Sequence, residues 1–200
     1  MEVVLLPHEN YADVAALIAR AFRDDPLTCF MLPDPATRRW SMEWIHTRWF
    51  RVVGALGGTF TTQGGGGVAV WWPPGGRDRI TLWRIARAGL LWTPLRVGWA
   101  YTQRMREAYA DVERHAEAFR APHWYLDILA VDPASQGRGL GGALIRHVTE
   151  RADRDRLPCY VVTHNLRNVP YYERFGFRLL RQTDLAPGLR TSSLEREPAR

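Results

Sequence analysis

The sequence predicts an α/β fold, and three observations carry that prediction. Apolar segments with strand-like and helix-like spacing alternate along the 200-residue chain. The stretch from Leu126 to Arg151 reads as a strand, a glycine-rich turn and a helix in direct succession. The run Gly64-Gly65-Gly66-Gly67 joins two short segments rich in β-branched and aromatic residues, which marks a hairpin.

Taken in order, Val3 to Leu6 is a short strand, and Pro7-His8-Glu9-Asn10 supplies turn and cap residues for a helix whose Val14, Leu17, Ile18 and Phe22 share one face. Asp24-Asp25-Pro26 and Pro33-Asp34-Pro35 break the chain, and a tryptophan-rich helix follows from Ala36 to about Val53. The hairpin strands are Thr59–Thr62 and Val68–Trp72, ended by Pro73-Pro74-Gly75-Gly76. Ile80–Trp92 and Pro94–Phe119 carry helical periodicity. The alternation over His123–Val131 places Tyr125, Asp127, Leu129 and Val131 on one face and Trp124, Leu126, Ile128 and Ala130 on the other. There follow a helix Leu140–Arg151, a strand Cys159–Thr163, a short helix Val169–Phe175 and strands Phe177–Thr183 and Leu189–Leu194, with Arg196–Arg200 expected to fray. The chain reads as a single domain, 1–200, with a motif-bearing core over 122–184 and a helical, aromatic region over about 24–119.

All 27 basic residues are arginine, and the net charge is +6. That balance favours a polyanionic cofactor through electrostatic focusing, and it also favours nucleic acid non-specifically, with no specific nucleic-acid partner expected. Cys29 and Cys159 stand far apart without metal-ligand or CxxC spacing, so structural thiols and no metal are expected. The first residues lack a basic leader, and no stretch approaches 18 uninterrupted apolar residues. A soluble cytoplasmic protein without a membrane partner is the resulting expectation.

The run Gln136-Gly137-Arg138-Gly139-Leu140-Gly141-Gly142 lies at the strand-to-helix junction. Glycines let the backbone approach an anion, and the helix that follows offers unpaired N–H groups and the positive end of its dipole. The register differs from the dinucleotide fingerprint G-x-G-x-x-G, and a chain without lysine cannot complete a P-loop. What the run resembles is the acetyl-CoA motif Gln-x-x-Gly-x-Gly of the GNAT acetyltransferase family. A second stretch, Asn165-Leu-Arg-Asn168-Val-Pro-Tyr171-Tyr172-Glu-Arg-Phe-Gly176-Phe177, is similar to the same family's C-terminal signature.

The resemblance implies a mixed central sheet of about six to seven strands flanked by helices, with a splayed parallel pair forming the acyl-CoA site. It implies acetyl-CoA as co-substrate: the backbone of Leu129, Ala130 and Val131 pairs with the pantetheine arm, and the diphosphate rests on Gln136, Gly137, Arg138, Gly139, Leu140, Gly141 and Gly142. Asn165 and Asn168 contact the arm in that reading, although Asn168 also suits a helix cap. Tyr172 occupies the position of the family's general acid, which protonates the departing sulfur, while Tyr171 is a packing residue. The base is left open between Asp127, whose pKa burial could raise, the histidines His115, His123 and His164, and proton loss to water. Neither cysteine has surroundings that lower its pKa, so direct transfer in a ternary complex is expected.

Seven of the nine tryptophans precede residue 95. Most read as core, and Trp40, Trp44, Trp71 and Trp72, with Tyr125, are the substrate-side candidates. Ala21-Phe22-Arg-Asp-Asp-Pro26, Val68-Ala-Val-Trp71, His123-Trp-Tyr-Leu126 and the C-terminal signature resemble puromycin N-acetyltransferase-like small-molecule acetyltransferases, with one departure: Val162 stands where the puromycin enzyme carries a carboxylate. The resemblance implies transfer to a primary amine of a small molecule, an antibiotic or other natural product included, by a monomer or homodimer. Acetylation of a protein N-terminus or lysine and a non-catalytic acyl-CoA sensor are the alternatives.

Overall fold

The computed structural model describes residues 1–76, 79–116 and 122–199. One seven-stranded sheet organises them, in the order β1-β2-β3-β4-β5-β7-β6. Strand β1 (Val3–Leu5) is the edge, followed in chain order by the helices α1 (Tyr11–Ala21), α2 (Pro26–Met31) and α3 (Pro35–Val53). The Asp25 and Asp34 carboxylates cap α2 and α3 by accepting backbone N–H bonds, and a proline opens each helix where its missing N–H costs nothing. The hairpin β2 (Thr59–Thr62) and β3 (Gly67–Trp72) turns at Gly64 and Gly65, both with positive φ.

The next region departs from the two long helices the sequence periodicity suggests. It contains α4 (Leu82–Arg87), a 3₁₀ turn at Leu90–Trp92, α5 (Thr93–Arg96) and α6 (Trp99–Ala116). Gly89 and Gly98, at φ 79° and 122°, punctuate it, because a left-handed residue ends a helix whatever the apolar spacing around it. The predicted extension to Phe119 lies outside the described residues.

The second half is β4 (Trp124–Val131), α7 (Leu140–Arg154), β5 (Cys159–Thr163), α8 (Val169–Glu173), β6 (Arg178–Ala186) and β7 (Leu189–Arg196). Among the described residues only β4 and β5 pair in parallel, over Trp124–Leu126 against Cys159–Val161. Beyond Leu126 the two strands part, so the β5-facing edge of residues 128–131 has no strand partner among the described residues, while β5 continues along β7.

Two cores flank the sheet. Val14, Leu17 and Ile18 of α1 and Phe50 of α3 pack on Val68, Val70, Trp72, Tyr125 and Tyr160. Leu144, Ile145 and Val148 of α7 pack with Ala69, Trp71, Trp124, Leu126, Cys159 and Tyr172 on the other side. Burying each such aliphatic side chain contributes roughly 1.5–3 kcal/mol.

The even alternation expected along β4 is broken. The pairing with β3 runs Val70↔Ile128 and then Trp71↔Leu126, skipping Asp127. This bulge flips the phase, so Ile128 and Ala130 join Tyr125 on the α1 side and Leu129 joins Trp124 and Leu126 on the α7 side. Periodicity cannot register such an insertion, because each half of the strand still alternates.

The C-terminal strand also ends more firmly than expected. Arg196 donates to both carboxylate oxygens of Asp153 at 2.7 and 2.8 Å and to the Phe175 carbonyl at 3.0 Å, and the Ala199 N–H reaches the same carboxylate. Residues 196–199 are therefore tied to α7.

Candidate functional site

The glycine run forms the turn that feeds α7. Gly137 and Gly139 have φ of 77° and 82°, and a Cβ at either position would meet open space, so conformation alone selects glycine there. The hydrogen-bond ladder of α7 begins with Ala143 N–H to the Gly139 carbonyl at 3.0 Å, which leaves the N–H groups of Leu140, Gly141 and Gly142 ahead of it as first-turn donors. Arg138 is exposed beside them. Gln136 ties the turn back to the strand end by donating to the Val131 carbonyl at 3.3 Å. Asp132 holds the same corner: it caps the turn at Ala134 and accepts from Arg20 of α1, and that guanidinium keeps its carboxyl below the ordinary range.

Gly141 and Gly142 have a further reason to be glycine. A Cβ on Gly141 would stand 2.5 Å from the Tyr171 hydroxyl and one on Gly142 would stand 3.0 Å from Phe175. The start of α7 thus leans directly on the aromatic face of α8, which fixes the turn relative to the second motif. This work of Tyr171 is packing, with Arg174 stacked 4.8 Å from its ring centre.

The two asparagines divide their tasks differently from the sequence expectation. Asn165, not Asn168, is the cap: its carboxamide oxygen accepts from Arg167 N–H at 3.1 Å over the turn Leu166–Asn168. Asn168 instead donates to the Thr163 hydroxyl at 3.2 Å, tying α8 to the end of β5.

Tyr172 is buried between Tyr171 and Phe177, whose ring centres each lie 5.8 Å from its own. Burial raises its phenol above the ordinary value, with smaller contributions from Tyr171 and from the Asp25 charge. Asp25 was not singled out by the sequence, yet its carboxyl, also raised by burial, is close enough to act electrostatically on Tyr172. Asp127 stands at the bulge of β4, half-buried, where the strand loses its β5 partner.

A cleft of about 820 Å³ is walled by Pro26, the β5–α8 loop residues His164 to Arg167, and the β6–β7 hairpin from Asp184 to Arg190. His164 is its chemical focus. The imidazole is 9% exposed, and its Nε2 is buried without a hydrogen-bond partner among the described residues. Burial pushes its pKa down to about 4, opposed by Asp111 and reinforced by His115. Behind it, α6 delivers a buried polar group: Asp111 accepts from Thr191 and from Arg114, and His115 meets Ser193 and Thr183 at 3.0 and 2.7 Å. Burial opposes ionised Asp111, but those two hydrogen bonds outweigh it and hold the carboxyl below its ordinary value. The sequence shows His164 only as one of several histidines; its convergence with Pro26 and Asp184 is tertiary.

The substrate-side aromatics disperse. Trp71 and Trp72 point into opposite cores, Trp71 sealed under α7 and Trp72 packed 6.0 Å from Trp49. Tyr125 lies beside Tyr160 in the α1-side core. Trp40 is 46% exposed on α3, and Trp44 lines a separate arginine-rich groove. None of the five walls the large cleft. The buried Cys159 thiol is pushed up to about 12 by burial, which removes it as a nucleophile.

The acetyltransferase (GNAT) family model matches residues 96–177, a span that contains the open strand edge, the glycine turn and α8. Over that span the chain matches this family. An uncharacterized N-acetyltransferase of Schizosaccharomyces pombe is 26% identical over 178 residues, 84% of this chain and 71% of that one. A mycothiol acetyltransferase of Mycolicibacterium vanbaalenii is 30% identical over 56% of this chain, which spans only 46% of that relative. In fold, arylalkylamine N-acetyltransferase 2 of Aedes aegypti superposes with a TM-score of 0.64 at 15% identity, covering 99% of both chains. The fold is therefore shared with a protein of very different sequence.

Proposed function

We propose that the chain transfers an acetyl group from acetyl-CoA directly to the primary amine of a small molecule bound in the cleft at His164. The observation that carries this reading is the position of that cleft, at the end of β5 where the sheet opens, with a buried imidazole nitrogen left without a partner. Amine acetylation by the structurally similar arylalkylamine enzyme is in keeping with it.

Acetyl-CoA supplies the activated thioester, and three features suit it. The free edge of Leu129, Ala130 and Val131 offers strand-like pairing to the pantetheine arm. The open cradle at Gly137 and Gly139, the first-turn N–H groups of Leu140, Gly141 and Gly142, and Arg138 offer donors and charge to the diphosphate, with Gln136 fixing the turn. Asn165 and Asn168 hold the loop that closes the other side.

The residues then divide the chemistry. Tyr172, its proton firmly held by burial, donates a hydrogen bond to the departing sulfur; a thiolate of pKa ~8.5 needs little more than that donation to leave. His164 stays neutral across the physiological range and positions the acceptor by hydrogen bonding. The amine enters unprotonated or sheds its proton to cleft water, and Asp127 at the bulge is the carboxylate on the open side of β4.

The cleft wall holds Arg167 and Arg190 against Asp184. That excess of positive charge disfavours polycations and suits an amine that also carries an acidic or hydroxylated part, as many natural products do. A panel of amines with acetyl-CoA, read by free thiol, tests this. Amino-acid-like and hydroxylated amines should turn over at least tenfold faster than polyamines. Turnover confined to peptide N-termini or lysines would replace this reading, and acetyl-CoA binding without turnover on any amine would overturn it.

A further inference from the structure

The surface formed by α4, α5 and the start of α6 is unlike the rest of the molecule. Leu82, Trp83, Leu91, Trp92, Leu95 and Trp99 are each more than half exposed. Scattered exposed apolar residues are ordinary, but six large ones within eighteen positions are not. The same segment, Arg79 to Arg106, holds six arginines and no acidic residue.

These side chains meet in space. A groove of about 380 Å³ brings Arg87, Trp92 and Arg96 against Trp44, Arg48 and Arg51 of α3. Arg48 stacks 3.9 Å from the Trp44 ring centre, and Arg87 lies 5.6 Å from that of Trp83. No carboxylate lines the groove. Crowding shows in Arg48, whose pKa is lowered by burial and by its neighbours Arg51 and Arg96. Cations so arranged call for an anionic counterpart, and the apolar side chains beside them call for a dry one.

We propose that this face docks on a bilayer containing anionic phospholipid, with headgroup phosphates taken by the arginine groove and Trp83, Trp92, Leu91 and Leu95 seated at the headgroup–acyl boundary. Tryptophan, leucine and arginine together are the side chains that such an interface accommodates, since the indole and guanidinium keep polar contact while the apolar parts leave water. The segment cannot cross: α4 and α5 are short and broken at Gly89 and Gly98, and among the described residues no helix is long and apolar enough to span a membrane. Nucleic acid would neutralise the arginines but leave the leucines in water. A second copy docking the same face two-fold would set arginine against arginine. The inference is independent of the acceptor reading, because it uses none of the residues assigned to transfer.

Sedimentation of the intact protein with vesicles tests it. Vesicles of phosphatidylcholine with one-third phosphatidylglycerol should bind and blue-shift the tryptophan emission, whereas pure phosphatidylcholine or high salt should bind at least tenfold more weakly. The pair Arg87→Glu and Arg96→Glu should reduce binding at least tenfold, and the pair Trp92→Ser and Leu95→Ser should abolish the blue shift, both with thiol-release turnover and circular dichroism unchanged. On the unaltered chain, anionic vesicles should slow hydrogen exchange over residues 82–99. Equal binding to both vesicle types, tighter binding to duplex DNA, saturation by inorganic phosphate without vesicle binding, or protection of 82–99 produced by self-association alone would each overturn the proposal.

Discussion

The stretch from β4 through α8 and the stretch from α3 through α6 carry comparable densities of aromatic and glycine residues, yet they behave oppositely. In the first, the conspicuous residues are held by neighbours close in sequence: Gly139 begins the α7 ladder, Gln136 reaches back to Val131, and Asn165 caps the turn at Arg167. In the second, the tryptophans scatter: Trp71 enters one core, Trp49 and Trp72 the other, Trp44 and Trp92 line an arginine groove, and Trp40, Trp83 and Trp99 stand on open surface. Local geometry dictates residue type in the first region, whereas in the second the residue type leaves its destination undetermined.

That contrast can be broken or sharpened by substitution. The largest effect is expected at Tyr172: Tyr172→Phe should lower turnover about 100-fold or more while the dissociation constant for acetyl-CoA changes less than about threefold. Equal losses in both would make the residue structural and blur the contrast. Gly141→Ala, which drives a Cβ onto the Tyr171 hydroxyl, should cost about 2 kcal/mol of stability and weaken acetyl-CoA binding. The double change with Tyr171→Phe should restore much of the stability, and a failure to do so would show that the clash is not the cause.

His164 gives the pH dependence. Its folded pKa, about 4, lies below the ordinary 6.5, so between those values the unfolded chain binds more protons and stability falls as pH drops. The contribution is on the order of 2 kcal/mol, present above pH 6.5 and lost as pH falls toward 4. Melting curves of His164→Gln should therefore be flatter over that window, though not flat, because His46 is held near 4 by burial as well. Turnover of the parent should show no inflection near 6.5; a histidine-like inflection there would identify a different base.

Arg196→Ala should remove about 1 kcal/mol by cutting the paired bonds to Asp153, whose side chains are 14% and 23% exposed, with acetyl-CoA affinity unchanged. Smallest of all, Trp40→Ala should change KM for a small amine less than twofold, because Trp40 lies outside the cleft wall. A tenfold rise would return the acceptor to the tryptophan-rich half.

Legibility in the sequence followed the same line. The strand boundaries, the breaks at Asp25-Pro26 and Asp34-Pro35 and the turn at Gly137–Gly142 were readable because each depends on residues a few positions apart. The bulge at Asp127 was not, because it is defined by register against β3. Trp71 and Trp72, both substrate-side candidates, enter opposite cores because successive residues of a strand face opposite sides. Fraying at Arg196 was wrong because its partner, Asp153, lies 43 positions away.

By itself the sequence determined the α/β class, the glycine turn and the order of the two motifs, since backbone conformation and helix-terminal N–H groups are local properties. Only the tertiary structure decided that β4 and β5 part after Leu126, that His164 and Asp184 gather around the opening, and that Trp83 and Trp92 stand exposed beside arginines. Those facts depend on which surfaces bury one another, and burial is a property of the assembled chain.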